Sequence, residues 1–152
     1  MMKRFLTWGL GMLIVGLLAG VALAQFARTE DAITYRQSVM SVIGTHFSRM
    51  GAVVRGEQPF TKEAFEQNAS LVATLIDQPW DAFMMSGGDK GSRLKPEALT
   101  QKDKFMELAK ASETEIVRLA ETAKAGDLNA IKSQFGAAGA SCKACHDDYR
   151  SR

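Results

Sequence analysis

The sequence predicts an all-α protein that folds as an antiparallel, up-and-down bundle of four helices. Its first and last helical segments carry apolar side chains at alternating intervals of three and four residues, which places those side chains on one helix face. Residues typical of helix starts and ends divide the chain into four such segments, with little strand pattern. Short links join the first two segments and the last two, and short links favour antiparallel neighbours.

Length and charge limit the kind of protein that this sequence encodes. At 152 residues, with 46% hydrophobic and 24% charged side chains, the chain fits one globular domain with a single core. Residues 25–152 contain 17 basic and 17 acidic side chains, because the only charged residues before them are Lys3 and Arg4. A nucleic-acid partner would need a basic surface, so we expect none.

The first 24 residues are predicted to be a cleaved export signal. Two basic residues precede an apolar run from Phe5 to Leu18, and Ala22-Leu23-Ala24 forms a small-x-small cleavage site before Gln25. The alternative is an uncleaved membrane anchor, since the apolar stretch reaches the roughly 20 residues that span a bilayer. The Ala-x-Ala ending favours cleavage, because an anchor does not require it. We therefore expect a mature domain of residues 25–152 with no stable membrane association.

The first two helices are predicted between Thr29 and Pro79. The first runs from about Thr29, as N-cap, to about Val54, with acidic residues in its first turn that interact favourably with the helix dipole. Its apolar stripe consists of Ile33, Arg36, Met40, Ile43, Phe47, Met50 and Val54. Arg36 is the one charged member. The second helix is predicted to follow a Thr61 N-cap and to end before Pro79.

The last two helices follow an irregular crossing from Trp80 to Pro96. Gly126 is the expected C-terminal residue of the third helix, and Asp127 is the expected N-cap of the fourth. The stripe of the fourth helix consists of Leu128, Ile131, Phe135, Ala138, Cys142, Cys145 and Tyr149. Both cysteines of the chain therefore lie on the face that we expect to be buried.

The last helix carries a motif with a specific chemistry, Cys142-Lys143-Ala144-Cys145-His146. Two cysteines three positions apart, followed by histidine, form the attachment pattern of c-type haem: each thiol adds to a haem vinyl group, and the imidazole binds the iron. The sequence therefore predicts one covalently bound haem c per chain, near the end of the last helix. Export supports this prediction, because thioether attachment in bacteria is completed outside the cytoplasm.

Other uses of the two cysteines are less well supported. A thioredoxin-like CxxC requires a preceding strand and a helix N-terminus that lowers the thiol pKa, whereas this motif comes late in a helix. A zinc site would need a fourth ligand, and His46 falls about 120° away from the apolar stripe, so we expect it on the surface. A haem-free helical protein would keep two reduced thiols in an oxidising compartment, where free thiols are unusual.

Arg36 is expected to lie close to the haem. In an antiparallel bundle the last helix ends beside the start of the first, so His146 is level with Arg36 and Met40. Guanidinium binds carboxylate in a bidentate manner, which makes Arg36 a candidate partner for a haem propionate. In the alternative interpretation, Arg36 reaches solvent from the end of the bundle.

At three separated places the sequence resembles the cytochrome c′ family, the class II c-type cytochromes. The family has CxxCH followed by an aromatic and a basic residue near its C-terminus, and an Arg-Gln pair with an apolar residue four positions after the arginine near its N-terminus. A Pro-Trp-x-x-Phe segment follows its second helix. The matching residues here are Cys142, Cys145, His146, Tyr149 and Arg150, then Arg36, Gln37 and Met40, and finally Pro79, Trp80 and Phe83.

The resemblance implies a periplasmic homodimer in which His146 is the only protein ligand of the iron and Met40 covers the vacant side. Met40 is ambiguous, because a thioether sulfur can itself bind haem iron, as in the low-spin electron carriers related to this family. The Tyr149-Arg150 ending and the Trp-x-x-Phe segment resemble the high-spin branch, which favours the open site. The alternative is a six-coordinate His/Met electron carrier.

An open site would face Met40, Ile43 and Phe83, with no obvious hydrogen-bond donor. Bound dioxygen carries partial negative charge and benefits from a donor, whereas NO and CO need one much less. We therefore expect a protein that binds NO or CO and can also transfer single electrons, and not an enzyme. Arg36, Gln37, Met40 and Phe83 are the candidate non-covalent haem contacts, and nothing in the sequence identifies a redox partner.

Overall fold

The computed structural model describes residues 25–152, and α-helices occupy most of them. The long helices are α1 (Thr29–Val54), α2 (Lys62–Leu75), α5 (Lys102–Ala125) and α6 (Leu128–Tyr149), and the short ones are α3 (Trp80–Phe83) and α4 (Glu97–Thr100). Helix α1 packs against α2, α2 against α5, α5 against α6, and α6 against α1. The predicted four-helix bundle is confirmed, with the two short helices on the crossing between α2 and α5.

Helix α1 begins where the sequence predicts, but its N-cap differs. The cap residue is Arg28, and the hydroxyl of Thr29 instead donates a hydrogen bond of 3.1 Å to the carbonyl oxygen of Ser86. Thr61 does occupy the N-cap position of α2, although its hydroxyl makes no capping hydrogen bond. The predicted capping role of Thr29 is therefore wrong, because this side chain connects α1 to the crossing.

The third predicted helix is interrupted near its start, and its end is as predicted. Gln101, with φ −112° and ψ 47°, separates the single turn of α4 from α5. Gly126 ends α5 with φ 78°, a conformation that its missing Cβ allows. Asp127 then caps α6, since its Oδ1 accepts hydrogen bonds from the backbone N–H groups of Asn129 (2.8 Å) and Ala130 (3.2 Å).

An aromatic cluster lies where the crossing meets the ends of α5 and α6. The ring of Phe105 is at its centre, 6.2 Å from Trp80, 5.4 Å from Phe83 and 5.3 Å from Tyr149 between ring centroids. Aromatic pairs at such distances contribute about 0.5–1.5 kcal/mol each beyond the burial of their surface. The cluster therefore fixes α3 against the helix that carries the cysteine motif.

The predicted export signal, residues 1–24, lies outside the described residues, and its cleavage before Gln25 stays a prediction. Within residues 25–152, no helix combines the length and the apolar character needed to cross a bilayer.

Candidate functional site

One cavity brings the predicted site residues together. It has a volume of about 530 Å³ and is bounded by α1, α3, the segment before α4, α5 and α6. The predicted residues that line it are Arg36, Gln37, Met40, Phe83, Cys142, Cys145 and His146. Ile43, which we expected beside Met40, lines it as well. The chain thus folds so that residues from three separate segments, more than 100 positions apart at the extremes, line one cavity.

The motif residues lie on the last two turns of α6. Cys142 and Cys145 are half-buried, form no disulfide and line the cavity. Their spacing places them on one face of the helix, as the apolar stripe predicts. His146 is exposed at the wall of the cavity, and α6 ends three residues later at Tyr149. A regular helix therefore presents all three motif side chains to the same space.

Both thiols are protonated at neutral pH. Burial raises the pKa of Cys142. Burial, then the repulsion that a Cys142 thiolate would exert on a second thiolate, and then the negative charge of Asp148, raise the pKa of Cys145 to about 11. A thioredoxin-like CxxC needs a lowered thiol pKa to supply a thiolate. The surroundings of Cys142 and Cys145 instead raise both thiol pKa values, which argues against a role in disulfide exchange.

The imidazole of His146 is kept neutral. Although part of the ring is exposed, the surrounding protein removes enough water to lower its pKa. Arg150 lowers the pKa further, Asp147 raises it, and Arg93 lowers it. The neutral imidazole is the form that binds a metal, because one nitrogen then keeps its lone pair free. The electrostatic surroundings of His146 therefore suit an iron ligand.

Arg36 is 2% exposed, although it carries a charge. Its guanidinium donates hydrogen bonds to the carbonyl oxygen of Ala82 (3.1 Å), to that of Gly88, and to the hydroxyl oxygen of Ser92 (2.9 Å). It also lies over the ring of Phe83, 4.7 Å from the centroid. The alternative expectation, that Arg36 reaches solvent, is wrong. Arg36 instead holds α3 and the following loop against α1.

The charge of Arg36 has no carboxylate within 4.0 Å among the described residues. Burial lowers its pKa, and the more distant charge of Asp89 raises it. Removing a cation from water is costly unless hydrogen bonds or an anion compensate it. Three hydrogen bonds compensate Arg36 in part, and its place on the cavity wall leaves it within reach of an anionic group in the cavity.

The rest of the wall is mostly apolar. Ile43 is buried, Met40 and Phe83 are half-buried, and Gln37 is exposed at the rim. The indole nitrogen of Trp80 is the one buried side-chain N or O atom without a hydrogen-bond partner in residues 25–152. Protein atoms cover this nitrogen, so it offers no donor to a molecule in the cavity. Hydrogen-bond donors elsewhere on the lining belong to residues such as Arg36, Arg93 and Arg150, so the expectation that the side facing Met40, Ile43 and Phe83 lacks a donor stays a prediction.

Sequence patterns did not predict the segment that closes the cavity beside α6. Leu94 forms an isolated antiparallel β-bridge with Arg150. Beside it, the backbone N–H of Ser151 donates a hydrogen bond of 2.9 Å to the carbonyl oxygen of Arg93. Arg93 and Leu94 both line the cavity. A two-residue bridge inside an irregular crossing has no periodicity, so no signal in the sequence could have located it.

Nothing in the described part of the chain supports a zinc site. No three side chains of His, Cys, Asp or Glu in residues 25–152 lie close enough to hold a metal ion. Nδ1 of His46 lies 2.7 Å from Oδ1 of Asn68 on α2, and the ring is half-buried. The expectation that His46 is a plain surface residue is wrong, because this hydrogen bond connects α1 to α2.

Comparison with known proteins places the chain in a family. A family profile described as Cytochrome C′ matches residues 31–150. This chain belongs to the cytochrome c′ family. Cytochrome c′ from Alcaligenes xylosoxydans xylosoxydans is 41% identical over 128 residues, which cover 84% of this chain and 99% of the relative. Cytochrome c′ from Rubrivivax gelatinosus is 35% identical over 130 residues, which cover 84% of this chain and 100% of the relative.

Solved cytochrome c′ structures share the fold described above. The crystal structure of the Rubrivivax gelatinosus protein aligns with a TM-score of 0.79 at 36% identity, over 84% of this chain and 100% of that one. A nitric oxide complex of a mutant of cytochrome c prime from Alcaligenes xylosoxidans aligns with a TM-score of 0.78 at 40% identity, over 84% of this chain and 99% of that one. The resemblance inferred from three short motifs thus extends over the whole bundle.

The residues of this cytochrome c′ fit the cofactor of the family, haem c. Two unpaired thiols and a neutral imidazole adjoin a mostly apolar cavity of about 530 Å³, which suits a flat apolar macrocycle. The buried cation of Arg36, which lines the same cavity, suits the carboxylates that the macrocycle carries. Haem c is the cofactor, and the pair Cys142 and Cys145 is consistent with its covalent attachment.

Proposed function

We propose that this protein is a periplasmic cytochrome that binds NO or CO and can also transfer single electrons. The observation that carries the proposal is that Cys142, Cys145 and His146 share one largely apolar cavity with Met40. When bound, haem supplies an iron that binds small gaseous ligands and exchanges single electrons between its ferrous and ferric states. The chain's own residues would hold the group, order its surroundings and limit access to it.

His146 is the proposed axial ligand, and the two cysteines are the proposed covalent attachment points. All three project from α6, whose last turn is fixed by the β-bridge between Leu94 and Arg150. The lowered pKa of His146 favours the neutral form, so no proton has to be displaced at neutral pH before a metal binds.

Arg36 and Gln37 are the proposed partners of the haem propionates. Three hydrogen bonds already fix the guanidinium of Arg36, so little side-chain freedom remains to be lost when a carboxylate arrives. That carboxylate would also compensate a buried charge. Gln37 lies at the exposed rim of the same wall, where its amide can donate to a second oxygen.

Met40, Ile43 and Phe83 would surround the remaining axial position of the iron. All three line the cavity, and none of them offers a hydrogen-bond donor. Such surroundings favour NO and CO over dioxygen, because bound dioxygen carries partial negative charge. The nitric oxide complex of an Alcaligenes relative supports the same ligand class for this chain.

A six-coordinate electron carrier is the second candidate function. It is favoured by one observation: Met40 lines the same cavity as His146. A thioether sulfur in that position could complete the coordination of the iron and exclude gases. In that case the protein would transfer electrons only.

Titration of the ferrous holoprotein with CO, without oxygen and followed by absorbance, tests the gas-binding proposal. We expect saturation at one CO per chain. Met106→Ala is the matched control, because Met106 is 38% exposed on α5 and does not line the cavity. An absorbance spectrum that CO leaves unchanged would contradict the proposal.

Covalent attachment has a separate test. After denaturation in acid, mass spectrometry should find one haem retained per chain in the wild type. The double variant of Cys142→Ala and Cys145→Ala should release it, because no thioether can then form. A wild-type chain that loses its haem under these conditions would contradict the assignment of both cysteines.

We also propose that the mature protein is a homodimer, as the family resemblance implies. Val42 on α1 and Leu71 on the adjacent α2 leave apolar side chains 42% and 37% exposed. Sedimentation should find a dimer that Val42→Arg converts to a monomer, while Val117→Arg on α5 leaves it intact. A monomeric wild type would refute this proposal.

Export is the last part of the proposal. The N-terminal sequence of the protein recovered from the periplasm should begin at Gln25. Recovery of the chain with Met1 still in place would indicate the uncleaved anchor instead.

A further inference from the structure

The charged side chains of residues 25–152 that line the cavity are all cationic. They are Arg36, Arg93 and Arg150, and no aspartate or glutamate from the described part of the chain lines the cavity. Residues 25–152 contain equal numbers of basic and acidic side chains, so this is a local separation of charge and not a property of the chain as a whole.

Arg93 and Arg150 differ from Arg36 because both are exposed. Neither has a carboxylate within 4.0 Å in the part of the chain that the structure describes. Nε of Arg93 donates a hydrogen bond of 3.2 Å to the carbonyl oxygen of Ser151. The bridge between Leu94 and Arg150 keeps the two arginines on adjacent backbone segments. The fold therefore holds both arginines at the rim of the cavity, exposed and without a carboxylate partner.

The neighbouring carboxylates do not cancel this charge. Asp148 pairs with Lys104 at 2.8 Å, and Asp147 pairs with Lys143. A further lysine, Lys95, donates to the backbone carbonyl oxygens of Asp147 (2.9 Å) and Asp148 (3.0 Å) at the C-terminus of α6. Each carboxylate already has a lysine partner, so Lys95 and the two arginines leave the rim with an excess of positive charge.

We propose that Arg93, Lys95 and Arg150 form a cationic rim that docks an acidic redox-partner protein. The proposal rests on the electron-transfer part of the proposed function. Cys145 and His146 line the same cavity as the two arginines, so a partner seated on the rim lies next to the attachment point of the cofactor. Opposite charges across such an encounter raise association rates by about 10- to 1,000-fold, and salt weakens the effect.

Two small oxidants of opposite charge replace the unidentified partner in the test. Hexacyanoferrate(III) is an anion and tris(phenanthroline)cobalt(III) is a cation. In each reaction the ferrous haem iron loses one electron and becomes ferric, while the oxidant gains that electron and becomes hexacyanoferrate(II) or the cobalt(II) complex. No proton is transferred. Stopped-flow absorbance of the ferrous holoprotein gives both second-order rate constants at low and high ionic strength.

Arg93→Gln is the informative variant, because Arg93 is exposed and lies far from the motif in sequence. At low ionic strength we expect its rate with hexacyanoferrate(III) to fall about 3- to 10-fold and its rate with the cobalt complex to rise by a similar factor. Arg93→Lys should retain the wild-type rates. Lys132→Gln removes the same charge from α6, 14 residues and about 21 Å of helix before His146, and should change neither rate.

The direction of the two changes decides the result. Opposite changes that disappear at high salt support the docking surface. Changes in the same direction would show that Arg93 alters the reduction potential, for example by pairing with a haem propionate, and would overturn the proposal. Unchanged rates would overturn it as well. If the wild type reacted with neither oxidant while still binding CO, the electron-transfer function and the docking surface would fail together, and the gas-binding function would stand.

Discussion

Replacement of Arg36 by glutamine tests whether this side chain holds α3 and the following loop against α1. The buried guanidinium connects α1 to two carbonyl oxygens and one hydroxyl on α3 and the following loop. Glutamine keeps a polar head, but it is shorter and has no forked donor set, so it cannot reach all three acceptors. We expect the loop to loosen and the bundle to lose stability.

The size of the loss follows from opposing contributions. Hydrogen bonds from a charged group are worth about 1.5–3 kcal/mol each, so three of them give an upper limit of about 4.5–9 kcal/mol. The variant no longer bears the desolvation cost of a buried cation, which offsets several kcal/mol of this loss. The contact with Phe83, 4.7 Å away, adds about 0.5–2 kcal/mol that is also lost. The expected net destabilisation is about 3–5 kcal/mol.

Guanidinium chloride unfolding of the haem-loaded protein, followed by far-UV circular dichroism, measures the effect. Arg55→Gln is the control, because Arg55 forms a salt bridge of 2.7 Å with Glu57 on the surface. Its replacement should lower the free energy of unfolding by less than about 1 kcal/mol. The stability of Arg36→Lys should lie between those of wild type and Arg36→Gln, because lysine keeps the positive charge but lacks the forked donor set of the guanidinium. If Arg36→Gln unfolds within about 1 kcal/mol of wild type, Arg36 does not hold the loop.

Three further substitutions have defined outcomes in the same assay. Asp127→Ala removes the α6 cap and should destabilise by about 1 kcal/mol, and a change below about 0.3 kcal/mol would refute the capping role. Gly88→Ala should destabilise by about 1–3 kcal/mol, because a Cβ there would lie 2.9 Å from the carbonyl oxygen of Met85 and 3.0 Å from the guanidinium of Arg36; a neutral result would contradict that contact. Burial raises the pKa of Tyr149 above its usual value of 10.0, so its contribution to stability is complete below pH 10 and is lost as the pH rises through the folded-state pKa. Tyr149→Phe should therefore show a smaller loss of stability between pH 8 and pH 11 than wild type, and parallel pH profiles would show that Tyr149 does not titrate in this way.

The regular parts of this fold could be predicted because their signals are local. Alternating steps of three and four residues define the buried faces of α1 and α6, and Gly126 with Asp127 defines the turn before α6. The antiparallel order then places Met40 and Arg36 level with His146, and all three line one cavity. The composition of the candidate site thus follows from helical periodicity and topology.

The irregular crossing could not be predicted in the same way. The hydrogen-bond partners of Arg36 lie on backbone groups of Ala82 and Gly88, whose positions depend on the whole loop. Sequence reasoning placed Arg36 beside the haem but missed its role as the holder of that loop. The bridge of Leu94 with Arg150 was missed for a related reason, since two paired residues make no pattern.

The central claim is that His146 is the only protein ligand of the iron and that Met40 covers the remaining position. Optical spectra of the ferric and ferrous holoprotein, recorded before and after addition of CO, test it most directly in wild type and in Met40→Ala. The open site predicts high-spin bands that shift with CO in both proteins. A low-spin wild-type spectrum that CO does not change, together with a CO-sensitive spectrum in Met40→Ala, would show that Met40 binds the iron and would contradict the claim.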